Sequence, residues 1–237
     1  MDEVGWPGVD MLYVGNMASG LFCEQENLAA LLTEVTSLNP TPAVKVEAAC
    51  GSGGAALAQG FVAVASGLYD VVVVAGVEKM TEVVTRDATK ILATAADREY
   101  EVFQGASFTA LNALIMRLYM ERFSAPEEAF GSFAVQMHEN AVDCPYAQLR
   151  FKISIEDYLS STPIADPIKL LDCAPIGDGA ACLVLCPLER AREFCDTPVE
   201  VAGVGMATDT LNVSARRDLL TLEATVHAAR TAFKMAK

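Results

Sequence analysis

The chain has 237 residues, of which 52% are hydrophobic and 20% charged, and its formal net charge at pH 7 is −14. This composition allows a large buried core and excludes an intrinsically disordered protein. The negative surface repels polyphosphate, so we expect no nucleic acid partner. The most apolar stretch, residues 55–77, is interrupted by Gln59 and Asp70, so we expect no membrane span.

The cysteines and the first residues indicate a cytoplasmic protein. The stretch MDEVGWPGVD lacks the basic and then apolar pattern of a signal peptide. The seven cysteines form no Cys-x-x-Cys pair, so we expect reduced thiols. Cys182 and Cys186 lie in an apolar run and are expected to be small core residues.

The first third of the chain alternates strand and helix patterns. Residues 53–66 are small or apolar on every side, which predicts a helix that is buried all round, with Gly67 after its end. The β-branched run 70–76 predicts a strand covered on both faces. Together the patterns predict an α/β fold with a parallel or mixed sheet and helices on both faces. The other predicted elements here are a strand at 10–16, a helix at 25–38 and a strand at 43–49.

Residues 78–172 are more charged and more irregular, and we interpret them as an insertion between two core strands. The predicted domains are therefore 1–77 for the first part of an N-terminal core, 78–172 for the insertion, 173–197 for the second part of that core and 198–237 for the start of a further core domain. The elements predicted in this part are helices at 107–122 and 126–143, a strand at 177–187, a short helix at 188–195, a strand at 199–209 and a last helix with Leu222, Val226 and Phe233 on one face.

Cys50 lies between the predicted strand 43–49 and the glycine-rich start of the following helix. A thiol on a tight turn at a helix N-terminus is favoured as thiolate, and the amides of the helix can donate to an oxyanion. Two other interpretations remain open from the residues alone. Cys50 can be a small packing residue, or CGSGG can be a phosphate-binding turn, although no lysine follows it as in a P-loop.

Several stretches in order carry a resemblance to a known family. The stretch VEAACGSGGAAL resembles the nucleophile segment of the thiolase superfamily. The stretches DMLYVGNM, VVVVAGVEKMT and DPIKLLDCAPIGDGAACLVL resemble the other strands of its first core, and ATDTLN with TLEATVHAARTAFKMA resembles the start of its second core. HENAVDCPYAQ is similar to the sterol-carrier-protein and archaeal-type members, although Gln136, Met137 and His138 stand where the family often has Lys-Asn-His.

The resemblance implies a layered thiolase-like α/β fold, with an inserted loop domain that contributes to coenzyme A binding and with most of the C-terminal core and the first strand and helix absent. It implies acyl transfer on acyl-CoA, by Claisen condensation or thiolysis, through an acyl-cysteine at Cys50. A coenzyme A thioester is then the substrate, with no covalently bound cofactor and no metal. Within the insertion, Arg150 and Lys152 form the densest basic pair and are the candidate coenzyme A contacts, with a solvated charged turn as the alternative.

The family's catalytic histidine and second acid/base belong to its C-terminal core, and neither is found here. His138 and His227 lie outside any Gly-His-Pro setting, and we expect both to be surface or packing residues. We therefore expect a truncated or split thiolase that needs a complementing thiolase-fold subunit, and the strand before Cys50 is expected to pair across the axis of a homodimer. The alternative is a non-catalytic thiolase-like module that binds a partner subunit.

Overall fold

The computed structural model describes residues 8–237. Residues 1–7, on which most of the expectation about a signal peptide rests, lie outside the described residues. The strands are β1 Met11–Gly15, β2 Ala43–Val46, β3 Val72–Lys79, β4 Pro163–Ala165, β5 Ile168–Lys169 and β6 Asp178–Leu185. The helices are α1 Ser19–Phe22, α2 Leu28–Val35, α3 Ser52–Ala65, α4 Thr85–Ala93, α5 Phe108–Phe123, α6 Glu127–Val142, α7 Ile155–Ser160 and α8 Glu223–Met235, with a π-helical turn at Arg98–Val102 and 3-10 turns at Leu170–Asp172, Leu188–Glu193 and Val213–Ala215.

The main sheet has four strands in the order β2-β1-β3-β6. Strand β1 pairs in parallel with both β2 and β3, whereas β6 pairs antiparallel with β3, from Val72 opposite Leu185 to Lys79 opposite Asp178. The predicted mixed sheet and α/β class are therefore confirmed.

Helices cover both faces of this sheet. On one face, Val72 and Val74 of β3 pack with Ala56 and Ala63 of α3. On the other face, Leu12 and Val14 of β1 pack with Ala29 of α2, and the alternate residues of β3 join them. Because successive side chains of a strand point to opposite faces, the run of valines supplies both clusters.

Helix α3 is not buried all round, so this part of the sequence prediction is wrong. Its sheet side is tightly packed: a Cβ added at Gly60 would lie 2.5 Å from Val74 Cγ2 and 3.0 Å from Leu185 Cδ1. Its other side leaves Gln59 and Val62 exposed. An apolar helix surface is buried only where another element covers it, and the part of the chain from residue 8 onward covers one side. Gly67, at φ +73°, follows the helix as predicted.

Strand β6 lies at an edge of the sheet and is exposed along most of its length. Among its side chains, Leu183 is 53% exposed and Cys182 is also exposed. The expectation that Cys182 is a core residue is wrong, because β3 lies on only one edge of β6 and only Leu185 reaches the α3 cluster. Cys186 is half-buried.

The predicted strand 199–209 is wrong as well. No strand lies beside this segment within residues 8–237, so its backbone forms no ladder. Helix α8 packs against it instead. A Cβ at Gly205 would overlap the carbonyl oxygen of Ala228, and one at Gly203 would lie within 3.1 Å of the amide nitrogen of Ala236, so only glycine allows this approach.

The chain divides into two compact units. Of the described residues, the first unit contains 8–91, 177–209 and 222–237, and the second contains 92–176 and 210–221. In the second unit, α6 and α7 cross where the fully buried ring of Tyr158 lies against Gly131. The domain boundaries proposed from the sequence remain a prediction. No helix among residues 8–237 has the length and apolarity that a membrane crossing requires.

Candidate functional site

The carboxyl ends of β1, β2 and β3 meet at one edge of the main sheet, because the three strands run parallel. Ligands of open α/β sheets bind outside this edge. Cys50 follows β2 there, four residues after the last strand residue, Val46. The sheet therefore presents the predicted nucleophile at the edge where this class of fold binds its ligands.

Strand β2 is shorter than predicted, because residues 47–51 form a turn. Ala49 has φ +47°, a left-handed backbone that residues with a Cβ adopt at a cost of roughly 1–2 kcal/mol. The amide of Gly51 donates to the carbonyl of Ala48 at 2.9 Å, and the amide of Ala49 donates to the Glu47 carboxylate. The strand ends because these local bonds replace the ladder.

Ser52 holds this turn in place. Its hydroxyl accepts a hydrogen bond from the amide of Ala48 at 2.9 Å and donates to the carbonyl of Ala49 at 2.6 Å. Ser52 is itself buried, with 4% of its surface exposed. Both residues that precede Cys50 are thus tied to the first turn of α3 by one side chain.

The glycines around Cys50 have different roles. A Cβ at Gly15, the last residue of β1, would lie 2.6 Å from the carbonyl oxygen of Ser52, so this glycine lets α3 approach the sheet. Gly53 and Gly54 face open space, and no hydrogen bond within residues 8–237 involves their amides. The Cα of Gly53 nevertheless lies close to the sheet, because it would be 2.7 Å from a Cβ at Gly15 and 3.9 Å from one at Gly76.

Cys50 is exposed, as are Cys144, Cys182 and Cys195, and all seven cysteines of the chain are free thiols. Among the exposed ones, Cys50 is the thiol that adjoins the N-terminus of a long helix, α3. A thiol that acts as a nucleophile attacks as its thiolate. The open amides of the first turn are the kind of donor that stabilises an oxyanion on an attached acyl group.

Two polar residues that sequence reasoning missed lie at the same edge of the sheet. Asn16, which is 2% exposed, donates through Nδ2 to the Val77 carbonyl at 2.9 Å and to Glu78 Oε1 at 3.0 Å. Glu78 also accepts the amide of Met17 at 2.8 Å. Their signal in the sequence is that each follows an apolar run, with Asn16 just after β1 and Glu78 at the penultimate position of β3.

Asp178, the first residue of β6, organises the loop after β3. Its carboxylate accepts the amide of Met80 at 2.8 Å, the amide of Thr81 at 3.0 Å and the Thr81 hydroxyl at 2.6 Å. These donors, with the Thr81 hydroxyl first, hold the pKa of Asp178 below its ordinary value. The start of β6 is thus hydrogen-bonded to the loop that follows β3.

The candidate coenzyme A contacts lie in the second unit, and both are exposed. Lys152 forms an ion pair with Glu139, with Nζ 3.1 Å from Oε1. Arg150 has no ion pair within residues 8–237. Of the two side chains, Arg150 is therefore the one whose positive charge is available to bind an anionic ligand.

The two histidines differ in environment. His138 in α6 is 8% exposed, with Nδ1 2.9 Å from the Phe151 carbonyl oxygen and its ring 4.9 Å from the Phe151 ring. His227 in α8 is exposed. No group of three or more His, Cys, Asp or Glu residues able to hold a metal ion lies within the described part of the chain.

The fold is thus an α/β sheet with an exposed thiol, Cys50, between a parallel strand and the N-terminus of helix α3. Residues 3–189 match the family model described as the N-terminal domain of thiolase. The chain therefore belongs to the thiolase family.

Characterised relatives agree with this assignment. The chain is 47% identical over its full length to an acetyl-CoA acetyltransferase of Methanothermobacter thermautotrophicus and covers 62% of that protein. It is 44% identical, over 96% of its length, to an acetyl-CoA acetyltransferase of Methanocaldococcus jannaschii and covers 58% of it. The chain thus spans about three fifths of the length of these relatives.

Solved structures share the fold at lower identity. The Ltp2-ChsH2(DUF35) aldolase superposes with a TM-score of 0.76 at 22% identity, over 96% of this chain and 58% of that chain. A monomeric SCP2-thiolase like protein type 1 from Mycobacterium smegmatis has a TM-score of 0.74 at 20% identity, over 97% of this chain and 48% of that chain. Both establish a thiolase-like fold.

Proposed function

We propose that this chain carries the nucleophilic half of a thiolase-type acyltransferase, with Cys50 as the residue that takes up the acyl group. The proposal rests on the position of Cys50. This exposed thiol lies at the N-terminus of α3, on a turn that is hydrogen-bonded to the Ser52 hydroxyl, and inside the region matched by the thiolase model. Acetyl-CoA is the proposed substrate, because the two archaeal relatives are named acetyl-CoA acetyltransferases.

In the proposed reaction, the Cys50 sulfur attacks the thioester carbon of acetyl-CoA. The new carbon–sulfur bond forms, the bond to coenzyme A breaks, and the thiol proton leaves with coenzyme A through a base. The carbanion of a second acetyl-CoA then attacks the acyl-cysteine, which gives acetoacetyl-CoA and returns the Cys50 sulfur to the thiol state. Thiolysis is the same sequence in reverse.

The base and the second acid/base are proposed to come from polypeptide outside these 237 residues. The relatives are longer than the region matched, and the resemblance assigns both groups to the C-terminal core. A positioned base contributes about 10²–10⁴ in rate, so the chain by itself should turn over near background. A complementing thiolase-fold subunit is the proposed partner, and the solved structure with a TM-score of 0.76 is named an Ltp2-ChsH2(DUF35) aldolase.

Coenzyme A is proposed to contact the insertion through Arg150 and Lys152, with Arg150 as the stronger candidate. Lys152 forms an ion pair with Glu139, whereas Arg150 has a guanidinium that can bind a phosphate group bidentately. Charge reversal of Arg150 should therefore weaken coenzyme A binding more than charge reversal of Lys152. Unchanged affinity after both reversals would remove this contact from the proposal.

Turnover tests the proposed function. We expect thiolysis of acetoacetyl-CoA near background for the purified chain, and measurable thiolysis when the C-terminal part of the archaeal relative is supplied in trans. Cys50→Ser should abolish the restored activity, whereas Cys144→Ser, at an equally exposed thiol, should leave it unchanged. Restored activity that survives Cys50→Ser would contradict the role of Cys50. Binding of the supplied part without any turnover would favour the non-catalytic module.

A further inference from the structure

A cleft in the second unit lies outside the site around Cys50 and has its own ligand-binding features. Its volume is about 380 Å³, which is in the range of small-molecule sites. Its walls come from α6, from residues 147–149 and from residues 171–175. The apolar part of the lining is formed by Phe130, Phe133, Met137, Leu149 and Leu171.

One polar atom in this cleft lacks a partner. His138 lines the cleft and is more than nine-tenths buried, with 8% of its surface exposed. Its Nδ1 lies 2.9 Å from the Phe151 carbonyl oxygen, and because a carbonyl only accepts, Nδ1 carries the proton of that bond. In the neutral ring Nε2 is then an acceptor, and no hydrogen bond to it is found within residues 8–237.

The geometry around His138 indicates where Nε2 faces. Within the described residues, no fully enclosed side-chain nitrogen or oxygen lacks a hydrogen-bond partner, so Nε2 retains accessible surface. Because His138 lines the cleft and Phe151 lies at the Nδ1 side of its ring, we infer that Nε2 faces the cleft. A ligand with a hydrogen-bond donor above an apolar body would satisfy this atom.

Each of the other polar side chains of the lining makes at least one hydrogen bond. Gln148 donates to the Ile176 carbonyl at 3.3 Å, and the Cys173 thiol donates to the Lys169 carbonyl at 3.4 Å. Asp172 accepts the Tyr158 hydroxyl at 3.2 Å. The lining contains this one carboxylate and neither lysine nor arginine, so it disfavours an anion.

We propose that this cleft binds a neutral, flat apolar molecule that carries one hydroxyl group, with the ring system against Phe130 and Phe133 and the hydroxyl donating to Nε2 of His138. The aromatic walls provide apolar area for a ring, and Nε2 provides orientation. This site is independent of acyl transfer at Cys50, so failure of either proposal leaves the other standing.

Binding of three naphthalene probes to the full chain tests the proposal. We expect 2-naphthol to bind about tenfold more tightly than 2-methoxynaphthalene, which has the same ring but no donor, since one hydrogen bond of ordinary strength corresponds to about that factor. The anion 2-naphthoate should bind more weakly than either, because of Asp172. Equal affinity for naphthol and its methyl ether, or no binding of either, would overturn the proposal.

Two variants distinguish the contribution of the hydrogen bond to His138 from that of the apolar contacts with the ligand. His138→Asn keeps an N–H near the Phe151 carbonyl but removes Nε2, so the preference for naphthol over its ether should disappear. Phe133→Ala, at a side chain that is 72% exposed, should weaken both probes by the same factor and keep the preference. A preference that persists in His138→Asn would contradict the assigned contact.

A spectroscopic readout in the unaltered chain does not depend on how the variants fold. In nitrogen-15 spectra, naphthol should shift the Nε2 resonance of His138, whereas the ether should not. The exposed His227 serves as the internal reference and should stay unshifted. Equal shifts of both histidines, or none, would contradict the proposed site.

Discussion

Ser52 determines the local geometry of Cys50 through one hydroxyl group. The hydroxyl satisfies the amide of Ala48 and binds the carbonyl of Ala49, which is held at φ +47°. A tight turn therefore depends on a side chain that belongs to the next helix. A substitution at Ser52 can therefore change the reactivity of Cys50 while the thiol stays exposed.

We expect Ser52→Ala to lower the free energy of unfolding by about 1–3 kcal/mol, because it leaves a part-buried backbone donor without a partner. We also expect slower alkylation of Cys50 by limiting iodoacetamide, since the turn loosens. Urea titration and peptide mapping measure the two effects. Ser132→Ala, at an exposed serine whose hydroxyl only donates to the Ala129 carbonyl, is the control and should change neither. An unchanged rate at Cys50 in Ser52→Ala would contradict the role given to Ser52.

Asp178 gives the fold a pH-dependent contribution. Its pKa is lowered in the folded protein, first by the Thr81 hydroxyl and then by the amides of Thr81 and Met80. A carboxyl group with a lowered folded-state pKa stabilises the protein above its unfolded value of about 3.9, and this contribution is lost as the pH falls through the folded-state pKa.

We therefore expect Asp178→Asn to lower the urea midpoint at pH 7. The difference from the unaltered chain should shrink as the pH falls below the pKa of this carboxyl group in the unfolded chain. Parallel urea titrations across this range measure it. A difference between the two proteins that stays constant down to the acid end would show that the ionised form of Asp178 is not the stabilising one.

At the scale of elements, the packing of α3 on the sheet depends on Gly60. A Cβ at this position would lie 2.5 Å from Val74 Cγ2 and 3.0 Å from Leu185 Cδ1, and forcing extra atoms into a packed core costs about 1–3 kcal/mol. Gly54, in the same helix, meets nothing within 4 Å. An alanine there reduces the entropy of the unfolded chain, which favours the helix by up to about 1 kcal/mol.

The two substitutions should thus have opposite signs. We expect Gly60→Ala to lower the urea midpoint and Gly54→Ala to leave it unchanged or raise it. Each variant is the control for the other, since both add one methyl group to α3. Equal shifts in the same direction would mean that the contacts of Gly60 do not limit the packing of α3.

Elements could be predicted from the sequence where their own residues have a clear periodicity. They could not be predicted where the structure depends on contacts with a neighbouring element. The valine run of β3 and the helix of α3 followed from their own residues. The turn at 47–51 could not be foreseen, because Ser52 and Glu47 side chains bind its backbone. The segment 199–209 has a strand-like pattern but no neighbouring strand, and strands require one.

The site shows the same division. Cys50 could be singled out from its position in the sequence, because a thiol before a glycine-rich helix start is a local pattern, and its role as the nucleophile stays a prediction. Asn16, Glu78 and Asp178 were missed, since residues 60 or more positions apart meet only after the sheet forms. The cleft around His138 was missed for the same reason: its Nδ1 partner is the carbonyl of Phe151, in a loop without periodicity.

At the scale of the whole molecule, exposed apolar side chains favour association. Leu222 and Phe233 of the α8 region are 61% and 70% exposed, and Leu183 lies on the exposed edge strand β6. Patches of this kind and unpaired strand edges are typical of surfaces that meet another chain. A homodimer or a complementing subunit is the proposed way to cover them.

We expect sedimentation of the purified chain to give a dimer or a larger species. Phe233→Glu should shift the distribution toward monomer if the α8 surface is used, and Leu183→Lys should do so if the β6 edge is used. Thr231→Glu, at an exposed position of the same helix α8, is the control for added charge. A clean monomer for the unaltered chain at all concentrations would contradict the expected association.

The most direct test of the central claim is the position of the acyl group after incubation with acetyl-CoA. Intact mass and peptide mapping of the chain, with the C-terminal part of a relative supplied, should find one acetyl group, on Cys50. Cys50→Ser should carry none, whereas Cys144→Ser should be acetylated as the unaltered chain is. An acetyl group distributed over several exposed cysteines, or absent from Cys50, would contradict the account.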